Sequence, residues 1–230
     1  MVKRLIDIIV SIIALLVLMP VFIPIMILLR FSAEGEVFYG QERIGFKNRK
    51  FRIWKFATML KNSPNMGTGS LTVRNDPRVT TIGRFLRRSK LNELPQLINL
   101  LTGDMTLVGP RPQMKVDFEA YPAEVQAHIY DARPGITGIG SIVFRDEEKL
   151  LSVPGRDPRK FYEEYIAPYK GQLEMWYQSH VSLLTDLKIL YLTALVILNP
   201  DPAWPFRYFR DLPELPDSLK SQSLNTSQDV

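Results

Sequence analysis

The hydrophobic pattern of the chain opens with a block. From Ile8 to Leu29, twenty-two successive positions carry no charge, with Lys3 and Arg4 before them and Arg30 after. About 20 apolar residues cross a bilayer as a helix, so this segment is directed to a membrane. A cleaved signal peptide does not fit, because the run is long and no small-residue cleavage site follows Leu29. Pro20 and Pro24 sit one turn apart inside the block. Each removes a helix hydrogen bond and bends the chain. Basic residues on both flanks favour neither end for export. Two readings satisfy these features: a kinked single span, and a re-entrant hairpin that enters, breaks at the prolines and returns.

Beyond the block the period changes. Short apolar and aromatic clusters between Phe38 and Met59, broken by Gly40, Gly45 and Asn48, predict loop and strand. Ser63 to Ser70 (SPNMGTGS) is a loop by composition. From Val79 to Leu101 apolar residues recur at helical spacing: Ile82, Phe85 and Leu86, then Leu94, Leu97, Ile98 and Leu101. Pro95 divides this stretch and belongs in the first turn of the second helix, with Asn92 as N-cap and Gly103 as its close. Pro122 to Tyr130, Pro158 to Tyr165 and Gln172 to Leu198 also read as helices. The last ends in an apolar stretch from Ile189, too short to cross a bilayer. With Trp176, Tyr177 and Tyr191 it fits an interfacial amphipathic helix and a core helix equally. After Asp211 the polar composition predicts a disordered tail. The domains expected are thus a membrane segment at 1–32, a globular body at 33–211 and a tail at 212–230.

Composition narrows the chemistry. The chain has 230 residues, 46% hydrophobic and 23% charged, which excludes a largely disordered or collagen-like polymer. It has no cysteine, which removes disulfides, thiolate metal sites and a cysteine nucleophile. A net charge of +5 suits an anionic membrane surface or a phosphorylated substrate. Arg74, Arg78, Arg84, Arg87, Arg88 and Lys90 are opposed only by Asp76. This run is either a solvated helix face or an anion patch, and without interleaved aromatics or a zinc-finger or RNA-binding signature it does not point to nucleic acid. Val108-Gly109-Pro110-Arg111-Pro112 holds one guanidinium between prolines, a fork suited to phosphate oxygens or else a surface turn. Glu93 and Asp104 are the nearest acids and offer hard oxygens for Mg²⁺ with a diphosphate. Otherwise Glu93 favours a helix start and Asp104 shapes a turn. His128 and His180 lack triad partners at a telling spacing, and neither GxxxxGK[ST] nor GxGxxG occurs.

Several stretches together resemble one family, the monotopic polyprenol-phosphate phosphoglycosyl transferases among the bacterial sugar transferases. They are KRLIDIIVS, FYGQERIGFKNRKFRIWKFATM, GRFLRRSKLNELPQLINLLTGDMTLVGPRP and ARPGITG, spread from Lys3 to Gly138, with a less diagnostic SLLTDLKILYLTALVIL later. The resemblance implies an α/β, mostly helical fold, with an N-terminal re-entrant membrane helix hairpin, a small cytoplasmic catalytic body and interfacial amphipathic helices. It implies transfer of a sugar 1-phosphate from a UDP-sugar to undecaprenyl phosphate with Mg²⁺ as cofactor, releasing UMP and starting a surface glycan. It places both termini on the cytoplasmic face of the bacterial inner membrane, with inner-leaflet lipids as further partners and a homodimer allowed. The family uses an Asp-Glu pair, the Asp forming a covalent phosphosugar intermediate. Here the pair reads Asn92-Glu93. By resemblance Glu93 supports catalysis and the metal, with Asp104 as a second metal candidate, and Lys55, Arg87 and Arg111 bind phosphate. The amide at 92 opens an alternative: a weakly active or inactive member that binds nucleotide sugar or polyprenol phosphate as a partner of another transferase. After PGITG the chain has IGSIVFRDEE where the family carries Trp-Gln-Val, which bears on sugar preference.

Overall fold

A computed structural model describes residues 2–32, 34–66, 71–73 and 75–224. The uncharged block forms one helix, α1 (Val2–Arg30). It stays helical across Pro20 and Pro24, so the break expected at the prolines is not seen as an interruption of the helix. Among the described residues α1 is the one helix long and apolar enough to cross a membrane. Both of its ends meet the globular body. Lys3, Arg4 and Asp7 bond to residues 100–108, and Ile25 and Leu29 are buried with Phe56 and Leu86. Between them Ile9, Ile12, Ile13, Leu16, Val17 and Met19 stay exposed.

The strand signal after the block becomes an antiparallel hairpin, β1 (Phe38–Ile44) with β2 (Lys50–Phe56), in a register that pairs Phe38 with Phe56 and Ile44 with Lys50. Two short helices follow, α2 (Thr81–Arg88) and α3 (Gln96–Thr102). Thr80 caps α2 by accepting the Gly83 amide at 3.0 Å. Gly103 ends α3 in the left-handed region at φ 90°, a conformation that costs glycine little. Asn92 is not an N-cap. It lies in a tight turn over Leu91–Glu93, its side chain makes no cap bond, and Pro95 stands immediately before α3. Lys90 is left-handed at φ 58°, which turns the chain before a cap could form.

β3 (Thr106–Val108) pairs in parallel with β4 (Gly135–Thr137), with α4 (Lys115–Phe118) and α5 (Ala123–His128) between them. After β4 come α6 (Ile139–Val143), α7 (Glu147–Leu151) and α8 (Pro158–Phe161), then a π-turn at Tyr162–Ile166 leading into α9 (Ala167–Ser179). The helix expected over Gln172 to Leu198 is two. α9 stops at Ser179, and Ser182 caps α10 (Leu183–Leu198) by accepting the Thr185 amide at 3.1 Å. Leu173, Tyr177, Ile189 and Leu192 from these helices sit in the main core with Ile129, Ile139 and Ile166. Leu184, Leu187, Tyr191 and Leu198 on α10 face outward. α10 thus has both a core face and an exposed apolar face.

α11 (Trp204–Tyr208) and α12 (Asp217–Leu224) complete the described chain. The stretch after Asp211 departs from the expected disordered tail. Leu212 and Leu219 are buried in the main core with Leu215 against it, and the Tyr169 hydroxyl donates to the Pro213 carbonyl at 2.8 Å. Leu212 and Leu215 precede α12 and Leu219 lies on it, three apolar contacts that the polar average of this stretch conceals. Residues 225–230 lie outside the described residues, as do 67–70 of the expected loop and Arg74 of the basic run.

Candidate active site

Four segments converge at one end of the body. β2 carries Lys55, the turn before α3 carries Asn92 and Glu93, the proline-bounded loop after β3 carries Arg111, and β1 carries Arg43. The Glu93 carboxylate is the meeting point. Its Oε1 accepts from Arg111 Nη2 at 3.2 Å and lies 3.7 Å from Lys55 Nζ. Arg43 donates to Gln41 Oε1 and to the Pro112 carbonyl behind Arg111. A small cavity beside these groups is lined by Arg43, Ile53, Lys55, Gln96, Arg111, Pro112 and Gly135.

The Arg111 loop is held along its backbone. Gly109 N donates to the Thr137 carbonyl at 3.0 Å, and Gly135 N donates to the Pro110 carbonyl at 2.9 Å. The Tyr130 hydroxyl donates to the Arg111 carbonyl at 2.9 Å. Gly109 lies against the Arg133 carbonyl with no room for a Cβ, so this crossing needs glycine. Asn99 joins α3 to β2, accepting from Trp54 N at 2.9 Å and donating to the Arg52 carbonyl at 2.8 Å, so Lys55 and Glu93 are carried on linked elements.

The charges perturb one another. Burial pushes Lys55 down to about 7, with the neighbouring Arg43, Arg111 and Arg87 adding to the fall and Glu93 opposing it. Burial works against ionisation of Glu93, yet Arg111, Lys55 and Lys90 overcome it and hold the carboxylate well below its usual range. Arg111 is raised, first by Glu93. Arg111, Lys55 and Lys90 together outweigh burial at Glu93, and a cluster in which cations gather around a buried carboxylate is the kind of site that attracts a polyanion.

Arg87 stands at the rim, 3.1 Å from Glu148 of α7. Asn92 is buried, and its Oδ1 has no hydrogen-bond partner among the described residues. Asp104 is not brought to Glu93. It sits past the far end of α3, where its Oδ2 accepts from Thr102 Oγ1 at 2.7 Å. The basic run does not act as a unit either. Arg78 is buried against Asp76 and holds the carbonyls of Ser63, Met66 and Leu71, while Arg84, Arg88 and Lys90 are exposed.

Two charged groups beside the site escaped the sequence reading. Arg43 could have been found from Gln41 and Arg43 sharing one face of a strand. Glu174 had no such signal. It is buried on α9, its Oε1 lies 3.5 Å from Arg111 N, its Oε2 is unpartnered among the described residues, and burial pushes it up to about 7.

Comparison with known proteins places this geometry. The family profile described as bacterial sugar transferase matches residues 1–200. The chain belongs to the bacterial sugar transferase family. Among its relatives is the exopolysaccharide production protein ExoY of Sinorhizobium fredii, 33% identical over 205 residues, which cover 83% of this chain and 83% of the relative. Another is the undecaprenyl-phosphate galactose phosphotransferase of Salmonella typhimurium, 33% identical over 219 residues, 88% of this chain and 41% of the relative. A third is the UDP-glucose:undecaprenyl-phosphate glucose-1-phosphate transferase of Escherichia coli K12, 34% identical over 195 residues, 84% of this chain and 39% of the relative. The chain therefore spans most of the first relative and about two fifths of the other two.

Proposed function

We propose that this chain transfers a sugar 1-phosphate from a UDP-sugar to undecaprenyl phosphate, giving a polyprenyl-diphosphate-linked sugar and UMP and initiating a surface glycan. The observation that carries this reading is the meeting of Arg111 and Lys55 at the Glu93 carboxylate, with Arg43 held behind Arg111, in a family whose relatives bear the names of such transferases. A diphosphate entering the site would compete with Glu93 for its cations. Arg111 offers a planar fork to two phosphate oxygens, and Lys55 supplies a point charge. Glu93, released from them, is then the reactive carboxylate, since the Asn92 amide is a poor nucleophile towards phosphorus. Its oxygen bonds to the sugar-bearing phosphorus as the anhydride bond breaks and UMP leaves. An oxygen of undecaprenyl phosphate then attacks the same phosphorus and the carboxylate departs.

For Mg²⁺, Glu93 and the adjacent Asn92, whose buried Oδ1 has no hydrogen-bond partner among the described residues, are the residues that would offer oxygens beside substrate phosphates. When bound, the ion would neutralise charge developing on the departing phosphate. Asp104, occupied by Thr102 at the far end of α3, is left out of this set.

The reading puts α1 into the cytoplasmic leaflet of the inner membrane as a re-entrant segment, with both termini cytoplasmic. It is supported by the two proline positions, the basic flanks and the attachment of both helix ends to one body around an exposed apolar middle. The test is UMP release from a panel of UDP-sugars with undecaprenyl phosphate and Mg²⁺. Absence of UMP with every sugar, for the natural chain and for Asn92→Asp alike, would sink the proposal.

A further inference from the structure

The first two turns of α1 are bonded to the body in a way that anchorage alone does not require. Lys3 Nζ lies 2.8 Å from the Val108 carbonyl, 2.9 Å from the Tyr177 hydroxyl and 2.8 Å from Asp186 Oδ2. The three ammonium protons thus each have a partner. Tyr177 donates to Asp186 Oδ1 at 2.7 Å, and both residues are buried. One turn along, buried Asp7 accepts from Thr106 Oγ1 at 2.8 Å and from Leu107 N at 3.0 Å. Arg4 donates to the carbonyls of Leu100 and Leu101 in the last turn of α3.

These contacts fall on the two segments that carry the Glu93–Arg111 pair. β3 ends at Val108, three residues before Arg111, and α3 begins at Gln96, three residues after Glu93. The far end of α1 packs Phe22, Ile25, Met26 and Leu29 with Phe56, Leu86, Leu91 and Leu94. Those four residues adjoin Lys55, Arg87, Asn92 and Glu93 in sequence. An apolar helix needs only apolar contact to dock. Buried charges are costly unless paired, and here Asp7 spends both of its bonds and Lys3 one of its three on the strand that leads to Arg111.

We propose that α1 is an integral part of the phosphate site, with Lys3 and Asp7 as positioning residues that set Arg111 against Glu93 through β3, and with Tyr177 and Asp186 completing the lock. The link is short and stiff. Backbone bonds at Gly109, Pro110 and Arg111 leave little slack to absorb a displacement at Val108. The proposal rests on the donor reading only for the identity of the ligand.

The test uses the full chain in detergent micelles, where delivery to a membrane cannot limit activity. UDP binding is measured by calorimetry, and amide hydrogen exchange is followed over residues 106–112. Lys3→Met and Asp7→Ala are each expected to weaken UDP binding about tenfold, equivalent to about 1.4 kcal/mol, and to speed exchange at Leu107, Gly109 and Arg111. Lys3→Arg, which keeps a donor, should recover most of the loss. In an Arg111→Ala background Lys3→Met should have little further effect on UDP affinity, because groups acting through one another are not additive. If either substitution prevents folding, Asp7→Asn retains one acceptor and should show the same pattern at smaller size. Unchanged exchange over 106–112 with unchanged UDP affinity would overturn the proposal and leave α1 an anchor. Fully additive losses would overturn it too, as an effect on global stability. A natural chain that binds no UDP would refute the donor reading, while the exchange measurement would still decide the positioning role.

Discussion

At the scale of single residues, position 92 is where one substitution tests the proposed chemistry most directly. Asn92 is buried in a tight turn and its amide caps nothing, so no folding role binds the position to an amide. Asn92→Asp is therefore expected to raise UMP release strongly and to allow a phosphosugar to be trapped on residue 92, as read by mass spectrometry of the modified peptide. Modification found on residue 93 in the natural chain would identify Glu93 as the carboxylate that reacts. Lys55 supports a second prediction, in pH. Burial holds it near 7, below an ordinary lysine, and a phosphate ligand favours its charged form. At pH 6 free and bound protein both carry the proton, so binding takes up none at this site. As pH rises through 7 the free lysine loses its proton, so UDP binding should take up a growing fraction of one proton and weaken. Calorimetry in buffers of different ionisation enthalpy measures this uptake, and Lys55→Met should abolish that part of it. The individual residues were legible to different degrees. Glu93, Lys55 and Arg111 stood out through their motifs, whereas Glu174 lies in an unremarkable stretch of helix and matters only because α9 packs it against the Arg111 loop.

At the scale of elements, local signals located most of what they could. Apolar spacing with Pro95 and Gly103 marked α2 and α3, and the broken aromatic run marked β1 and β2. The division of α9 from α10 was missed, although Ser182 with Thr185 three residues on is a capping signal, because apolar residues continue on both sides of it. α12 was missed because its core contact, Leu219, is a single apolar position in a polar stretch and gains meaning only against the core it covers. The chain has no cysteine, so single cysteines at Val2 and Ser32 can be labelled cleanly in intact cells. Under the re-entrant reading both are shielded from a membrane-impermeant reagent and react only after permeabilisation. Labelling of one alone from outside would establish a spanning helix. Replacing Pro20 and Pro24 together by leucine restores two helix hydrogen bonds, straightens the helix and should convert protection of both sites into protection of one.

For the molecule as a whole, exposed apolar surface is concentrated on α1 and on the outer face of α10. Leu184 and Leu187 are 64% and 55% exposed there, so replacing both by glutamate removes no core contact. The double substitution should leave the melting temperature within a few degrees, since surface changes are usually worth about ±0.5 kcal/mol each. It should also lower binding to anionic vesicles in a flotation assay. Equal flotation with and without it would show that α10 stays out of the bilayer surface. The apolar N-terminal block, the mostly helical class and the candidate groups Glu93, Lys55 and Arg111 are legible in the chain alone, because hydrophobic period and motif chemistry are local properties. Tertiary structure alone settled which charges meet. It joined β2, the turn before α3 and the loop after β3 at one carboxylate, sent Asp104 to the opposite end of α3, buried Arg78 as a loop clasp and tied Lys3 to Val108 across 105 positions of chain. Hydrogen bonds act over a few ångströms and charge pairs weaken with separation in space, and distance along a sequence does not report that separation once the chain has folded back on itself.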